Sequence, residues 1–177
     1  MKYNLDTLKK VELRDVWPHE ALDFTKWLSE ESNLAMLSSA VGIELELIET
    51  ESSVGSFNVD IYAQEVGTGR KAIIENQLED TNHDHLGKVI TYAAGKGAEI
   101  VVWVVAHARD EHRQAIEWLN QHTDSSFGFF LVEIELWSIG DSLPAPRFSV
   151  VEQPNEWTKT IKLSEGLSET ERVKLSY

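Results

Sequence analysis

The chain has 177 residues, 42% of them hydrophobic, with 16 Lys and Arg against 30 Asp and Glu for a formal net charge of −14, and no cysteine. A single domain of this apolar content can bury a core of its own, which argues against a disordered or low-complexity protein. Without thiols there are no disulfides, thiolate zinc sites, iron–sulfur clusters or cysteine nucleophiles, so metal ligands must be His or carboxylate, and the acidity excludes non-specific charge attraction to a polyanion.

No segment approaches the roughly 20 apolar residues of a membrane span, and Met1 to Arg14 has no signal-peptide core, so a soluble, cytoplasmic protein is expected. Apolar residues at Ala21, Phe24, Trp27, Leu28, Leu34 and Leu37, with Pro18 near the start, predict one helix from Trp17 to Leu37. Ile43 to Glu49 and Phe57 to Ala63 alternate apolar and polar positions and read as half-exposed strands. After the Gly67 and Gly69 turn, Ala72 to Leu78 is a third strand, with Ala72, Ile74, Asn76 and Leu78 on one face and Ile73, Glu75 and Gln77 on the other.

His83 to Gly97 follows as a helix with Leu86, Val89, Ile90 and Ala93 on its apolar face, ended by Gly95 and Gly97. The run Ile100 to Ala106 suits a central strand covered on both sides, with Trp103 in the core. A helix over about Arg109 to His122 and strands at Phe127 to Ile139 and Arg147 to Glu152 complete an α/β pattern. From Pro154 the chain turns polar, and Ser168 to Glu171 has the spacing of a helix cap. The expected division is a domain over 1–157 and a polar tail over 158–177.

A hairpin turn centred between Gly67 and Thr68 sets Asp60 opposite Glu75. Directly opposed like charges cost about 0.2–1 kcal/mol on a sheet. A divalent cation shared by the two carboxylates would offset that cost, with Glu44 or Glu46 as a further ligand; a solvated sheet face is the other solution.

Val59-Asp60-Ile61 on one strand, a glycine turn and Ile74-Glu75-Asn76-Gln77 on the next resemble the PD-(D/E)XK nuclease superfamily. The segments Trp17-Pro18-His19-Glu20, His83-x-His85-Leu86-Gly87, Thr91-Tyr92-Ala93-Ala94-Gly95, Glu111-His112-Arg113 and Trp118-Leu119-Asn120 extend the likeness, over about Val11 to Trp157, to a prokaryotic branch with Glu-Asn-Gln. The resemblance implies a restriction-endonuclease-like core, a central mixed sheet flanked by helices in the order αβββαβ. It also implies Mg²⁺- or Mn²⁺-dependent hydrolysis of DNA, in defence or DNA processing, with Asp60, Glu75 and the main-chain carbonyl of Asn76 as metal ligands and Glu20 contributing from the first helix.

Gln77 stands where that superfamily has lysine; its amide can orient a water but carries no charge. Lys88 shares a helical stripe with His85 and Tyr92 and is the candidate replacement, against the plainer pairing with Asp84; Lys71 would lie about 20 Å from Gln77 along an extended strand. His85 and Tyr92 are read as substrate contacts, with a helix cap as the alternative for His85. His83 and His85 can share a metal only if His83 lies in the loop. His112 reads as a satisfied, partly buried histidine. A homodimer is plausible for cutting both strands. Two other functions stay open, a catalytically silent module that binds a protein partner and an acidic DNA mimic.

Overall fold

The computed structural model describes residues 2–155. The domain end at 157 and the tail over 158–177 lie outside the described residues. Among the described residues seven strands form one mixed sheet in the order β1-β6-β5-β4-β3-β2, with β7 also paired to β6. They are β1 (Leu8–Val11), β2 (Leu45–Val54), β3 (Phe57–Glu65), β4 (Lys71–Asp80), β5 (Ile100–His107), β6 (Gly128–Ile139) and β7 (Ala145–Glu152). The strands β4, β5 and β6 run parallel, and the other pairings are antiparallel. The alternation anticipated for β4 holds: Ala72, Ile74 and Leu78 enter the core on one side and Ile73 the core on the other. β5 is covered on both faces, with Val102 and Val104 on the first side and Val101, Trp103 and Val105 on the second. β1 went unpredicted because its residues are mostly exposed, and it exists by pairing with the end of β6.

The first face carries α1 (Leu13–Val16), a π-helical turn (Glu20–Thr25), α2 (Lys26–Ser29) and α3 (Glu31–Val41). The single helix expected from Trp17 to Leu37 is therefore broken. Phe24 N–H donates to the carbonyl of His19, a five-residue step, and Glu30 is extended, with its N–H and, at 2.8 Å, Asn33 Nδ2 both donating to the carbonyl of Trp27. Around this wide turn Phe24, Thr25 and Leu28 are buried, and Trp17, Phe24 and Trp27 form an aromatic cluster. The second face carries α4 (His83–Lys96) and α5 (Asp110–His122). On α4 the buried side chains are Val89, Tyr92 and Ala93, whereas Ile90, expected inside, is 44% exposed.

The hairpin of β2 and β3 bends over α4. Val59 packs with the α4–α5 face although Ile61, two residues on, packs with the other, so the strand's facing changes at Asp60. Opposite that point, between the pairs Thr50–Ile61 and Ser52–Val59, Glu51 has φ +51°, the one non-glycine at positive φ among the described residues. The bent tip is held by Lys96 Nζ donating to Ser52 Oγ at 2.6 Å, by Lys96 over the Tyr62 ring and by Phe57 against Tyr92. Gly95 does not end α4; a Cβ there would overlap Val54 Cγ1, so glycine is what lets hairpin and helix approach. The terminator is Gly97, left-handed at φ 61°.

Gly95→Ala should lower the melting temperature despite alanine's better helix propensity, and Val54→Ala in the same chain should recover most of the loss. Gly87→Ala, with open space around its Cβ, should instead stabilise by up to about 1 kcal/mol. Thermal unfolding of the four proteins checks both signs.

Candidate active site

β3 and β4 are paired from Gln64–Lys71 to Ile61–Ile74, the register expected from the turn, and the ladder then stops. Main-chain N–H groups of alternate residues leave the same edge of a strand, so Asn76 and Leu78 face the space that β3 has left. Asn76 N–H donates to Asp60 Oδ2 at 2.8 Å, and Leu78 N–H donates to Glu20 Oε2 at 2.7 Å. In return Asp60 N–H donates to Glu75 Oε1 at 3.2 Å. Asp60 and Glu20 thus accept the orphaned N–H groups of β4 in place of a neighbouring strand, and Glu75 is held beside Asp60 by the N–H of that residue.

The price is electrostatic. Glu75 is only 3% exposed. Burial, then the charges of Glu51 and Glu20, push the Asp60 carboxyl up to about 7 against the opposing Asn76 N–H and Lys88. Burial, then the charge of Asp60, push Glu75 up to about 9. Burial also raises Glu20, opposed by the Leu78 N–H and Arg14. Trp103 sits beside Glu75 across the β4–β5 ladder, fully buried with its indole N–H unpartnered, and keeps that wall apolar.

The remaining candidates divide. The amide of Asn76 reaches the opposite face, where its Nδ2 donates to Thr25 Oγ1 at 2.9 Å. Gln77 is fully buried; its Nε2 donates to the Asp80 carbonyl at 2.9 Å and its Oε1 is unpartnered. Lys88 Nζ pairs with Asp84 at 3.2 Å, yet its charge is felt by Glu20, Asp60 and Glu75. It lines a cleft of about 320 Å³ with Phe57, His83, Asp84, Thr91 and Tyr92. His85 is half-buried and turned toward the helix cap, its Nδ1 3.3 Å from Asn82 Oδ1; burial, then Lys88, lower its pKa. His83 pairs with His112 at 2.8 Å and not with His85, which removes the shared-metal reading of the two.

Glu46 accepts a bond from Gln64 beside the turn between β3 and β4, away from Asp60, and Lys71 Nζ donates to Gln64 at the same end. The residue opposite Asp60 is Glu51, which lies beyond the strand end expected at Glu49; β2 runs on to Val54, its register shifted by one at a bulge between Leu47 and Glu49. Lys9 and Lys10 lie on β1 at the far edge of the sheet, and Arg70 is bound to Glu65 at 2.7 Å, so neither basic pair borders the site.

Among the described residues no three His, Cys, Asp or Glu side chains converge as a ready metal cluster. Two adjacent carboxylates short of positive charge, with a main-chain carbonyl at Asn76 on the same edge, form a hard-oxygen donor set. That set fits a cation that keeps several waters, as Mg²⁺ does. Without metal, both acids bind protons in the fold that they would release when unfolded. Their contribution is complete below the unfolded values near 4 and is lost as pH rises through about 7 and then 9. The metal-free melting temperature should therefore fall between pH 5 and pH 9, by more than ~3 °C, and Asp60→Asn/Glu75→Gln should flatten the slope, as calorimetric scans at each pH would read.

No family model and no curated protein matches the chain. Two solved structures are similar to it. A repair endonuclease from Pyrococcus abyssi is 15% identical over 50% of this chain and 43% of that one, with a TM-score of 0.37. The EndoMS-dsDNA2 complex is 12% identical over 51% of this chain and 41% of that one, with a TM-score of 0.38. The chain spans less than half the length of either.

Proposed function

We propose that the chain is a divalent-metal-dependent nuclease that hydrolyses DNA phosphodiester bonds, working in defence or DNA processing. The observation that carries this reading is the pair Asp60 and Glu75, a half-buried and a buried acid bonded to each other's strand where the ladder ends, with too little positive charge around them. Asp60, Glu75 and the carbonyl of Asn76 would hold Mg²⁺ or Mn²⁺. When bound, such a cation polarises the scissile phosphate and lowers the pKa of a coordinated water.

The chain's own residues supply the rest. Gln77 Oε1, buried and unpartnered, is an acceptor able to orient the attacking water's O–H. Glu20 keeps its Oε2 on Leu78 N–H, which leaves Oε1 to accept a second water proton. Lys88 turns from Asp84 to the incoming phosphate, offsetting charge that Gln77 cannot, and Tyr92 closes the apolar wall of the cleft.

One observation favours a second reading, a catalytically silent module for a protein partner: Gln77 gives an amide where a cation would act, and Lys88 is already paired. Calorimetric titration of Mg²⁺ and Mn²⁺, followed by incubation with plasmid and single-stranded DNA, separates the two. Wild type should bind metal and cut; Asp60→Ala/Glu75→Ala should lose both, with cleavage down at least ~10²-fold. Metal binding without cleavage of any DNA, or no metal binding, would move the assignment to the silent module. Gln77→Ala and Lys88→Ala should each slow cleavage ~10-fold or more while metal affinity stays within about threefold, a difference that single-turnover rates would read.

A further inference from the structure

The imidazole on the wall of the cleft is His83, not His85. It stands in the first turn of α4, and its Nδ1 lies 2.8 Å from Nε2 of His112 on α5. His112 Nδ1 lies 2.8 Å from Thr81 Oγ1, and the same Oγ1 accepts the main-chain N–H of Arg109 at 2.9 Å. Thr81 and His112 are buried, at 0% and 4% exposure, with the Trp103 ring edge-on to His112.

The direction of this chain follows from hydrogen-bond accounting. A buried hydroxyl must give its proton to an acceptor, and Thr81 Oγ1 has two partners, of which the Arg109 N–H can only donate. The Thr81 O–H therefore donates to His112 Nδ1. A neutral imidazole carries one N–H, so the proton of His112 is on Nε2 and is donated to His83 Nδ1. With Nδ1 of His83 accepting that bond, its ring N–H is on Nε2, which has no partner among the described residues. His112 is held neutral, its pKa lowered by burial and then by His83 and Arg109, with Glu111 opposing.

We propose that His83 is a phosphate-contacting residue of the cleft, its Nε2–H aimed outward by the buried Thr81–His112 relay, and that its ligand is a phosphate of the nucleic-acid backbone. The class of ligand rests on the nuclease reading; the residue and its aim do not. Lys88 on the same wall supplies charge, and His83 supplies a directed donor that needs no added proton. His112 is a positioning residue that acts through His83.

The test is imidazole nitrogen NMR of the metal-free protein with thymidine 3′,5′-bisphosphate as probe. Both His83 and His112 should be Nε2–H tautomers, and the probe should shift His83 Nε2. His83→Ala should weaken probe binding about tenfold. His112→Phe should let His83 populate both tautomers and weaken binding by several-fold, while His112→Gln, whose amide N–H replaces Nε2–H, should restore both readouts. An Nδ1–H tautomer at His83, an unmoved His83 at saturation, or no binding of the probe would overturn the proposal. A His83 response in a protein that cuts no DNA would remove the nuclease reading and leave this one; cleavage with an unmoved His83 would do the reverse.

Discussion

Past Ile61 and Ile74 the hydrogen-bonded ladder between β3 and β4 ends, and the main-chain N–H groups of Asn76 and Leu78 would be buried without partners. Leaving such a donor unmet costs ~1–3 kcal/mol, so acceptors must come from elsewhere. They come from Asp60 and Glu20, and Glu75 in turn accepts the N–H of Asp60. One backbone requirement thus draws Asp60 and Glu20 to the end of β4, and Glu75 is set beside Asp60. The requirement is met at an electrostatic cost, because burial and mutual repulsion hold Asp60 and Glu75 toward the protonated form. A site of this kind satisfies its backbone fully and its charges incompletely, and under the proposed function a hard cation would complete it.

The ladder ends because the hairpin turns away over α4. Its facing changes at Asp60, with Glu51 left-handed opposite, and the tip is tied down through Ser52, Val54, Phe57 and Tyr62. Gly95 matters to the site only indirectly, by letting that tip come close. The π-helical turn makes the matching adjustment on the other face, bringing Glu20 to Leu78 and Thr25 to Asn76. Polar links on both faces therefore brace the end of β4, the Thr25–Asn76 bond on one and the Thr81–His112–His83 chain on the other.

A protein of charge −14 would meet DNA, the proposed substrate, against an unfavourable mean field, and its basic pairs on β1 and at the turn between β3 and β4 lie away from the cleft. Under the proposed function, contact relies on short-range groups, the Lys88 ammonium and the directed imidazole of His83, and on charge brought in by the metal. Steering by the whole surface contributes nothing favourable.

The alternation along β4, the covered run Ile100 to Ala106, the helices ending at Gly97 and His122 and the register that sets Asp60 across from Glu75 were legible in the sequence. Each depends on side-chain periodicity and turn chemistry over a few neighbouring residues, which are local properties. The broken first helix, the bend of the hairpin, the replacement of Glu46 by Glu51 as the neighbour of Asp60 and the pairing of His83 with His112 were not. Those were decided by contacts between residues far apart in the chain, where packing of Trp17, Phe24 and Trp27, the close approach at Gly95 and the need of buried N–H and O–H groups for partners outweigh local preference.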